Sequence, residues 1–130
     1  MEGYNREKSH IPGRLRSFIF AFNGLKFTVR SQQNFRIHLA AMILVVVAGI
    51  LTHLCTTEWC IIILACGLVI SMEAMNTAIE QLVDLVSPEY RKQAGVVKDV
   101  AAAAVLITAV TAVIIGIILF LPKLISINLN

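Results

Sequence analysis

The sequence is short of charge, and this shortage decides its broad class. Charged residues fill 15% of its 130 positions, whereas a soluble domain averages about 25%. Hydrophobic residues fill 58%, above the about 45–50% that is usual for soluble domains. The composition therefore excludes an ordinary soluble protein and favours a membrane protein. Because the length suffices for one domain only, we interpret 1–130 as a single membrane domain.

Cysteine and histidine residues are equally few. The three cysteines are an odd number without the spacing of metal ligands. They predict small buried hydrophobic residues, and not a disulfide framework or a zinc site. The three histidines are too scattered for a metal-binding pair. His38 and His53, near the ends of a predicted membrane span, are interpreted as packing residues.

The common nucleotide and hydrolase motifs are also missing. The sequence contains no G-x-x-x-x-G-K-[ST], no G-x-G-x-x-G and no G-x-S-x-G segment. The first two motifs use glycine so that the backbone can approach phosphate groups. The third motif presents a nucleophilic serine. P-loop, Rossmann and serine-hydrolase sites are therefore excluded, and any chemistry must come from other residues.

Three apolar stretches are long enough to cross a membrane. They cover 37–57, 59–83 and 100–121, and each reaches the ~20 residues that a helical span needs. The second stretch reaches that length only if it includes a polar stripe. Three segments cannot close a β-barrel, so the spans must be helical. We predict an all-α membrane protein with three transmembrane helices.

Basic residues predict the orientation of these spans. Seven of the eleven lie before position 37, three more lie in the link 84–99, and the link 52–58 has none. Because Lys and Arg mark the cytoplasmic ends of spans, we expect the N-terminus and the link 84–99 in the cytoplasm. The C-terminus is then outside. Topology and attraction to anionic lipid account for the basic N-terminal cluster, so no nucleic-acid partner is predicted.

Residues 14–30 predict an amphipathic helix ahead of the first span. Their apolar side chains recur at helical spacing: Leu15, Phe18, Ile19, Phe22, Leu25 and Val29. A basic helix rich in aromatic residues lies in the membrane interface. We expect a surface helix that anchors the chain or forms a wall guiding a lipid headgroup, and these roles are compatible.

Two carboxylates lie within the second predicted span, in the segment EAMNTAIE. A charged group at the centre of a bilayer costs roughly 2.5–3.5 kcal/mol, so it persists where it faces protein or a wet cavity. At about 100° per residue, Glu73, Asn76, Glu80 and Asp84 share one narrow helical stripe. The function is therefore expected at this stripe.

Residue chemistry alone leaves three functions open. Carboxylates can bind Mg²⁺ together with substrate phosphates, one beside a hydroxyl can accept its proton, and Lys98 can offset phosphate charge. A small oligomeric transporter could instead use Glu73 and Glu80 as a proton or cation relay. A scaffold could use the stripe only to join helices.

Several segments together resemble the motifs of a known family. In chain order they are NFRIH at Asn34–His38, Glu58-Trp59, EAMNTAIEQLVD at 73–84, and KDVAAAAV at 98–105. They are similar to the small integral-membrane prokaryotic diacylglycerol kinases, a family that includes undecaprenol kinases. NTAIE and NFRIH look more like the undecaprenol kinase branch. The resemblance covers nearly the whole chain.

The resemblance implies a homotrimer in the bacterial plasma membrane that transfers the γ-phosphoryl group of MgATP to a lipid alcohol, undecaprenol or diacylglycerol, at the cytoplasmic interface. It implies that Glu73 is the general base and that Asn76 positions the hydroxyl. Arg14 and Lys98 are implied to contact substrate, and Glu80 to bind Mg²⁺. The implied nucleotide-binding residues are Gln32, Glu80, Glu89, Tyr90, Arg91, Lys98 and Asp99.

One position departs from the family pattern. The second metal-binding carboxylate is expected where this chain has Gln32. An amide oxygen can still bind Mg²⁺ but is neutral, so Gln32 is kept as a predicted metal ligand beside Glu80. Ala103, where relatives often have glycine, is expected to affect helix packing more than chemistry.

Overall fold

The computed structural model describes residues 13–89 and 91–128, with side chains described from 16 to 125 of that part. These residues form four helices and no strand. The helices are α1 (Gly13–Ser31), α2 (Gln33–Leu51), α3 (Thr56–Val86) and α4 (Lys92–Asn128). The prediction of an all-α chain is confirmed.

Three of these helices are long and apolar enough to cross a membrane. They are α2, α3 and the part of α4 that ends at Ile125, which confirms the prediction of a membrane protein with three spanning helices. The 31 residues of α3 extend ~46 Å at ~1.5 Å per residue. The hydrocarbon core is only ~30 Å thick, so one end of α3 projects well beyond it.

Helix α1 covers the range for which the sequence predicts an amphipathic helix. Phe18 and Phe22 expose 66% and 70% of their surface, whereas Thr28 is buried. Exposed aromatic side chains on one helix suit insertion into a membrane interface, and that placement stays a prediction. A single extended residue, Gln32, separates α1 from α2.

The first predicted span is wrong at its C-terminal end, because α2 ends at Leu51 and not at position 57. His53 has a left-handed backbone, with φ 50°. Its N–H donates to the carbonyl of Ile50 (3.2 Å), and the N–H of Leu54 donates to that of Gly49 (3.1 Å). These two bonds form the Schellman ending of a helix. The sequence conceals it because glycine usually occupies the left-handed position.

The link between the second and third spans is shorter than the predicted 84–99. Helix α3 continues to Val86 and α4 begins at Lys92, so both charged flanks of the link are helical. The prediction of buried cysteines is also wrong for Cys55 and Cys60, which are exposed, while Cys66 is half-buried. All three thiols are free.

Helix α3 is the centre of the fold, because it contacts each of the other three helices. Its buried residues follow one helical face, on which apolar side chains are succeeded by polar ones: Ile62, Ala65, Val69, Glu73, Asn76 and Thr77. The buried face of α3 thus changes from apolar to polar along the helix.

The other end of the bundle is held by Glu58. Its Oε2 accepts a hydrogen bond from the N–H of Cys55 (2.7 Å) and lies 3.0 Å from Nζ of Lys123. The first contact caps α3, and the second joins its start to α4. Nearby, Trp59 packs over Gly49 of α2, so all three spanning helices meet here.

We predict that Gly49→Ala destabilises the protein. An added Cβ would lie 2.8 Å from Cη2 of Trp59 and 2.9 Å from Cδ1 of Leu54. Overpacking of this kind costs about 1–3 kcal/mol, and thermal unfolding in detergent should show it as a lower midpoint. Gly67→Ala is the matched control, because nothing lies within 4 Å of its added Cβ. Equal midpoints for both variants would contradict the contact.

Candidate active site

Glu73 is the most deeply buried charged residue of the part that the structure describes, with 2% of its surface exposed. It lies on the face of α3 that turns toward α2 and α4. Its Oε1 lies 3.2 Å from Nε2 of His38 on α2. One turn on, the hydroxyl of Thr77 donates to the backbone carbonyl of Glu73 (2.9 Å). The carboxylate of Glu73 therefore contacts a side chain of the neighbouring helix α2.

A second polar layer lies two turns farther along α3. Glu80 accepts hydrogen bonds from Nε2 of Gln32 (2.7 Å) and from Nδ2 of Asn76 (3.0 Å). The extended backbone of Gln32, between α1 and α2, brings its side chain to α3. Oδ1 of Asn76 is buried and has no hydrogen-bond partner among the described residues. The layer therefore carries a carboxylate and an acceptor that still lacks a donor.

A cleft of about 230 Å³ lies between α2, α3 and α4 and is here named the polar cleft. Its polar members are Asn34, His38, Glu73 and Asn76. Its α4 wall consists of Ala102, Val105, Leu106 and Ala109. The two alanines on that wall leave room, because each projects only a methyl group.

An apolar groove of about 180 Å³ continues from the polar cleft toward the other end of the bundle. His38 and Ala109 line both spaces. The rest of the groove is apolar and rich in small side chains: Ala41, Met42, Val45, Ile62, Ala65, Cys66, Val69, Ile70, Ala112, Val113 and Gly116. A greasy chain in this groove would have its end beside Glu73.

The loop between α3 and α4 forms a third space, here named the loop groove. Its charged members are Asp84, Glu89, Arg91 and Lys98. Lys98 forms an ion pair with Asp84 across the two helices. Asp84 lies one turn beyond Glu80, so the loop groove continues the polar stripe away from Glu73.

The structure brings some of the predicted site residues together and leaves others apart. Glu73, Asn76, Glu80 and Gln32 form one cluster, and Glu89, Arg91 and Lys98 line the loop groove. Asp99 is exposed and lies ~100° around α4 from Lys98. Within one chain it therefore belongs neither to the cluster around Glu80 nor to the loop groove. The side chain of Arg14 and all of Tyr90 lie outside the described residues.

The donor set around Glu80 decides which metal it suits. Among the described residues, no three His, Cys, Asp or Glu side chains lie together as a metal site. Glu80 and the amide of Gln32 supply only oxygen ligands, and Gln32 would have to turn its oxygen toward the ion. Mg²⁺ suits such a set, because it is usually held by one or two carboxylates, water and substrate phosphates.

Depth along α3 separates the two carboxylates. At ~1.5 Å per residue, Glu73 lies ~26 Å and Glu80 ~36 Å along the axis from Thr56. With Thr56 at one surface of a ~30 Å hydrocarbon core, Glu73 is still inside the core and Glu80 is at headgroup level. A lipid can therefore reach Glu73 and a water-soluble molecule can reach Glu80.

His38 and Asn34 are site residues that sequence reasoning missed. Both belong to the NFRIH segment, which resembles the family only as a string of letters. His38 was interpreted as a packing residue, yet it contacts Glu73. The sequence feature that could have revealed it is the spacing of four between Asn34 and His38, because this spacing places two polar groups on one face of α2.

Comparisons with known proteins find a matching family model and several relatives. A family model described as prokaryotic diacylglycerol kinase matches residues 19–120. An undecaprenol kinase of Bacillus subtilis is 44% identical over 109 residues, which cover 84% of this chain and 89% of that protein. A diacylglycerol kinase of Synechocystis is 41% identical over 88% of this chain and 66% of that protein.

A diacylglycerol kinase of Escherichia coli strain K12 is 33% identical over 95 residues, which cover 73% of this chain and 78% of that protein. The match of the family model spans most of the chain and includes α2, α3 and nearly all of the apolar part of α4. The chain belongs to the prokaryotic diacylglycerol kinase family, and the resemblance seen in its motifs is confirmed.

Proposed function

We propose that this lipid kinase transfers the γ-phosphoryl group of ATP to the hydroxyl of a membrane lipid alcohol, undecaprenol or diacylglycerol. The observation that carries the proposal is the place of Glu73, a buried carboxylate of the polar cleft beside His38, which lines both that cleft and the apolar groove at their junction. A hydroxyl on a greasy tail fits that junction, because the tail and the hydroxyl need opposite surroundings.

The lipid enters from the apolar side. Its tail lies in the apolar groove and its hydroxyl reaches the polar cleft beside Glu73. Asn76 lines the polar cleft; besides the N–H that it gives to Glu80, its side-chain amide has a second N–H that can donate to the oxygen of a bound alcohol. Asn76 thus positions the hydroxyl, and Glu73 accepts its proton as the oxygen bonds to phosphorus. ADP is the leaving group.

The nucleotide enters from the aqueous side. Lys98 and Arg91 line the loop groove beyond Glu80, and Glu89 lies in the same groove. The ion pair of Lys98 with Asp84 is partly exposed, and such pairs contribute only about 0–1 kcal/mol. A phosphate group can therefore take Asp84's place at Lys98 with little loss. Tyr90, Asp99 and Arg14 complete the proposed nucleotide and substrate contacts.

Glu80 and Gln32 would hold Mg²⁺ with the phosphates of the nucleotide. When bound, the ion neutralises charge on the phosphoryl oxygens. The protein's own part is to present Glu80 at headgroup level, about 10 Å along α3 from Glu73 at ~1.5 Å per residue. This order places lipid, base, metal and nucleotide along one helical face.

We further propose that the polar end of the bundle faces the cytoplasm of a bacterial cell and that the enzyme is a homotrimer. ATP is cytoplasmic, and the basic flanks at Arg30, Arg36 and Arg91 suit that side. Many large apolar side chains of α2 and α4 are exposed on a single chain. Lipid and neighbouring protomers would cover them.

We predict that Glu73→Gln lowers lipid phosphorylation at least ~100-fold, because a positioned base contributes ~10²–10⁴-fold. The loss should appear as a fall in kcat with every lipid alcohol tested, since the change affects the transfer and not tail recognition. Radiolabelled ATP and extraction of the lipid product measure it. Binding of MgATP should stay near that of the wild type.

Glu58→Gln is the matched control for this variant. It makes the same change at the opposite end of α3, and glutamine can keep the helix cap. It should retain kcat, although weakening the contact with Lys123 should lower the midpoint of thermal unfolding. A Glu73→Gln variant with near wild-type turnover would remove the base from the mechanism and would favour a structural role for the stripe.

The proposed metal pair yields a further prediction. Glu80→Gln should raise the Mg²⁺ concentration needed for activity or abolish turnover, because it removes the pair's only charge. Gln32→Glu places a second carboxylate beside Glu80, where Nε2 of Gln32 now donates (2.7 Å). Like charges this close repel, so Mg²⁺ should raise the unfolding temperature of Gln32→Glu more than that of the wild type.

Gln33→Glu is the control for Gln32→Glu, because it adds the same charge one residue away at an exposed position. It should show the wild-type response to Mg²⁺. If Mg²⁺ changed the unfolding temperature and the activity of Gln32→Glu no more than those of the wild type, the metal would lie elsewhere.

A further inference from the structure

Among the described residues, the side chain of Glu73 has one polar contact with another side chain: its Oε1 lies 3.2 Å from Nε2 of His38. The carboxylate side chain is 3% exposed, whereas the imidazole is 26% exposed. A buried carboxylate without a donor is costly. An apolar side chain at position 38 would fill the space equally well but would leave Glu73 without this donor.

The position of His38 favours a role in the active site over a role in packing the core. It lines both the polar cleft and the apolar groove, so it stands where the tail of a bound lipid would end and its hydroxyl begin. It projects from the first turns of α2, which the extended Gln32 turns relative to α1. The imidazole reaches Glu73 from α2, and Asn76 lines the same cleft.

We infer that His38 is the positioning residue of the catalytic base. Nε2–H of His38 donates to Oε1 of Glu73 and fixes the carboxylate, so that its second oxygen faces the hydroxyl in the cleft. A glutamate side chain has several rotatable bonds, and one fixed oxygen removes most of its freedom before the substrate binds. This inference rests on the proposed function, because it assigns a role within the same site.

A set of single variants tests the role. His38→Leu removes the donor and should lower kcat about 10-fold, which lies within the range of coupling between contacting residues. KM for MgATP should change less than ~2-fold, because the nucleotide groove lies beyond Glu80. His38→Gln keeps a donor of similar reach and should recover most of kcat. A residue that only filled space would not show this rescue.

The double variant His38→Leu/Glu73→Gln tests whether the two residues act together. If His38 acts through Glu73, the double variant should be no slower than Glu73→Gln alone. His53→Asn is the matched control at the other end of α2, since asparagine tolerates the left-handed backbone there. It should leave kcat unchanged.

A measurement without turnover tests the contact itself. Nitrogen-15 shifts of the labelled His38 ring report which nitrogen carries the proton, and Nε2 should carry it in the wild type. The signal should change in Glu73→Gln. An Nε2 without a proton, or additive losses in the double variant, would overturn the inference even if wild-type enzyme phosphorylates lipid. An inactive wild type with a protonated, Glu73-dependent Nε2 would instead reject the proposed function and keep the contact.

Discussion

The burial of the Glu73 carboxylate is the constraint on which the rest of the structure depends. A charge at this depth is tolerated only with a polar partner and a protein wall around it. Helix α2 supplies the partner through His38, and α4 supplies the wall with small residues such as Ala102. The polar side chains of α3 are thus concentrated in one stripe, whereas many large apolar side chains are exposed on the outer surface.

The position of the polar stripe depends on where the helices begin and end. Helix α3 is longer than the hydrocarbon core is thick, so its polar face is long enough to extend from lipid depth at Glu73 to headgroup depth at Glu80. The extended residue Gln32 turns the chain toward that point. At the opposite end, the ending of α2 over Trp59 and the contact of Glu58 with Lys123 fix the three helices relative to one another. Interactions far from the site therefore stabilise the bundle that carries it.

Much of this arrangement is predictable from the sequence, and the reasons for the misses are physical. The helical class, three spans and the stripe from Glu73 to Asp84 follow from hydropathy and helical period, which are local properties. The end of α2 was missed because a histidine adopts the left-handed position. The contact of His38 with Glu73 was missed because it depends on the axial position of α3 relative to α2, and this position is determined by tertiary packing. Asp99 is exposed and apart from the loop groove within one chain, and Tyr90 lies outside the described residues, so their roles stay predictions.

The central claim is that a lipid hydroxyl meets a nucleotide phosphoryl group along the polar face of α3. The most direct measurement incubates the purified wild-type protein with ATP labelled at the γ-phosphate, Mg²⁺ and, separately, undecaprenol or diacylglycerol in lipid-detergent micelles. The account predicts label in a lipid phosphate that extracts into organic solvent, together with an equal amount of ADP. Label that remains in ATP with each alcohol, or that is released only as inorganic phosphate, would contradict it.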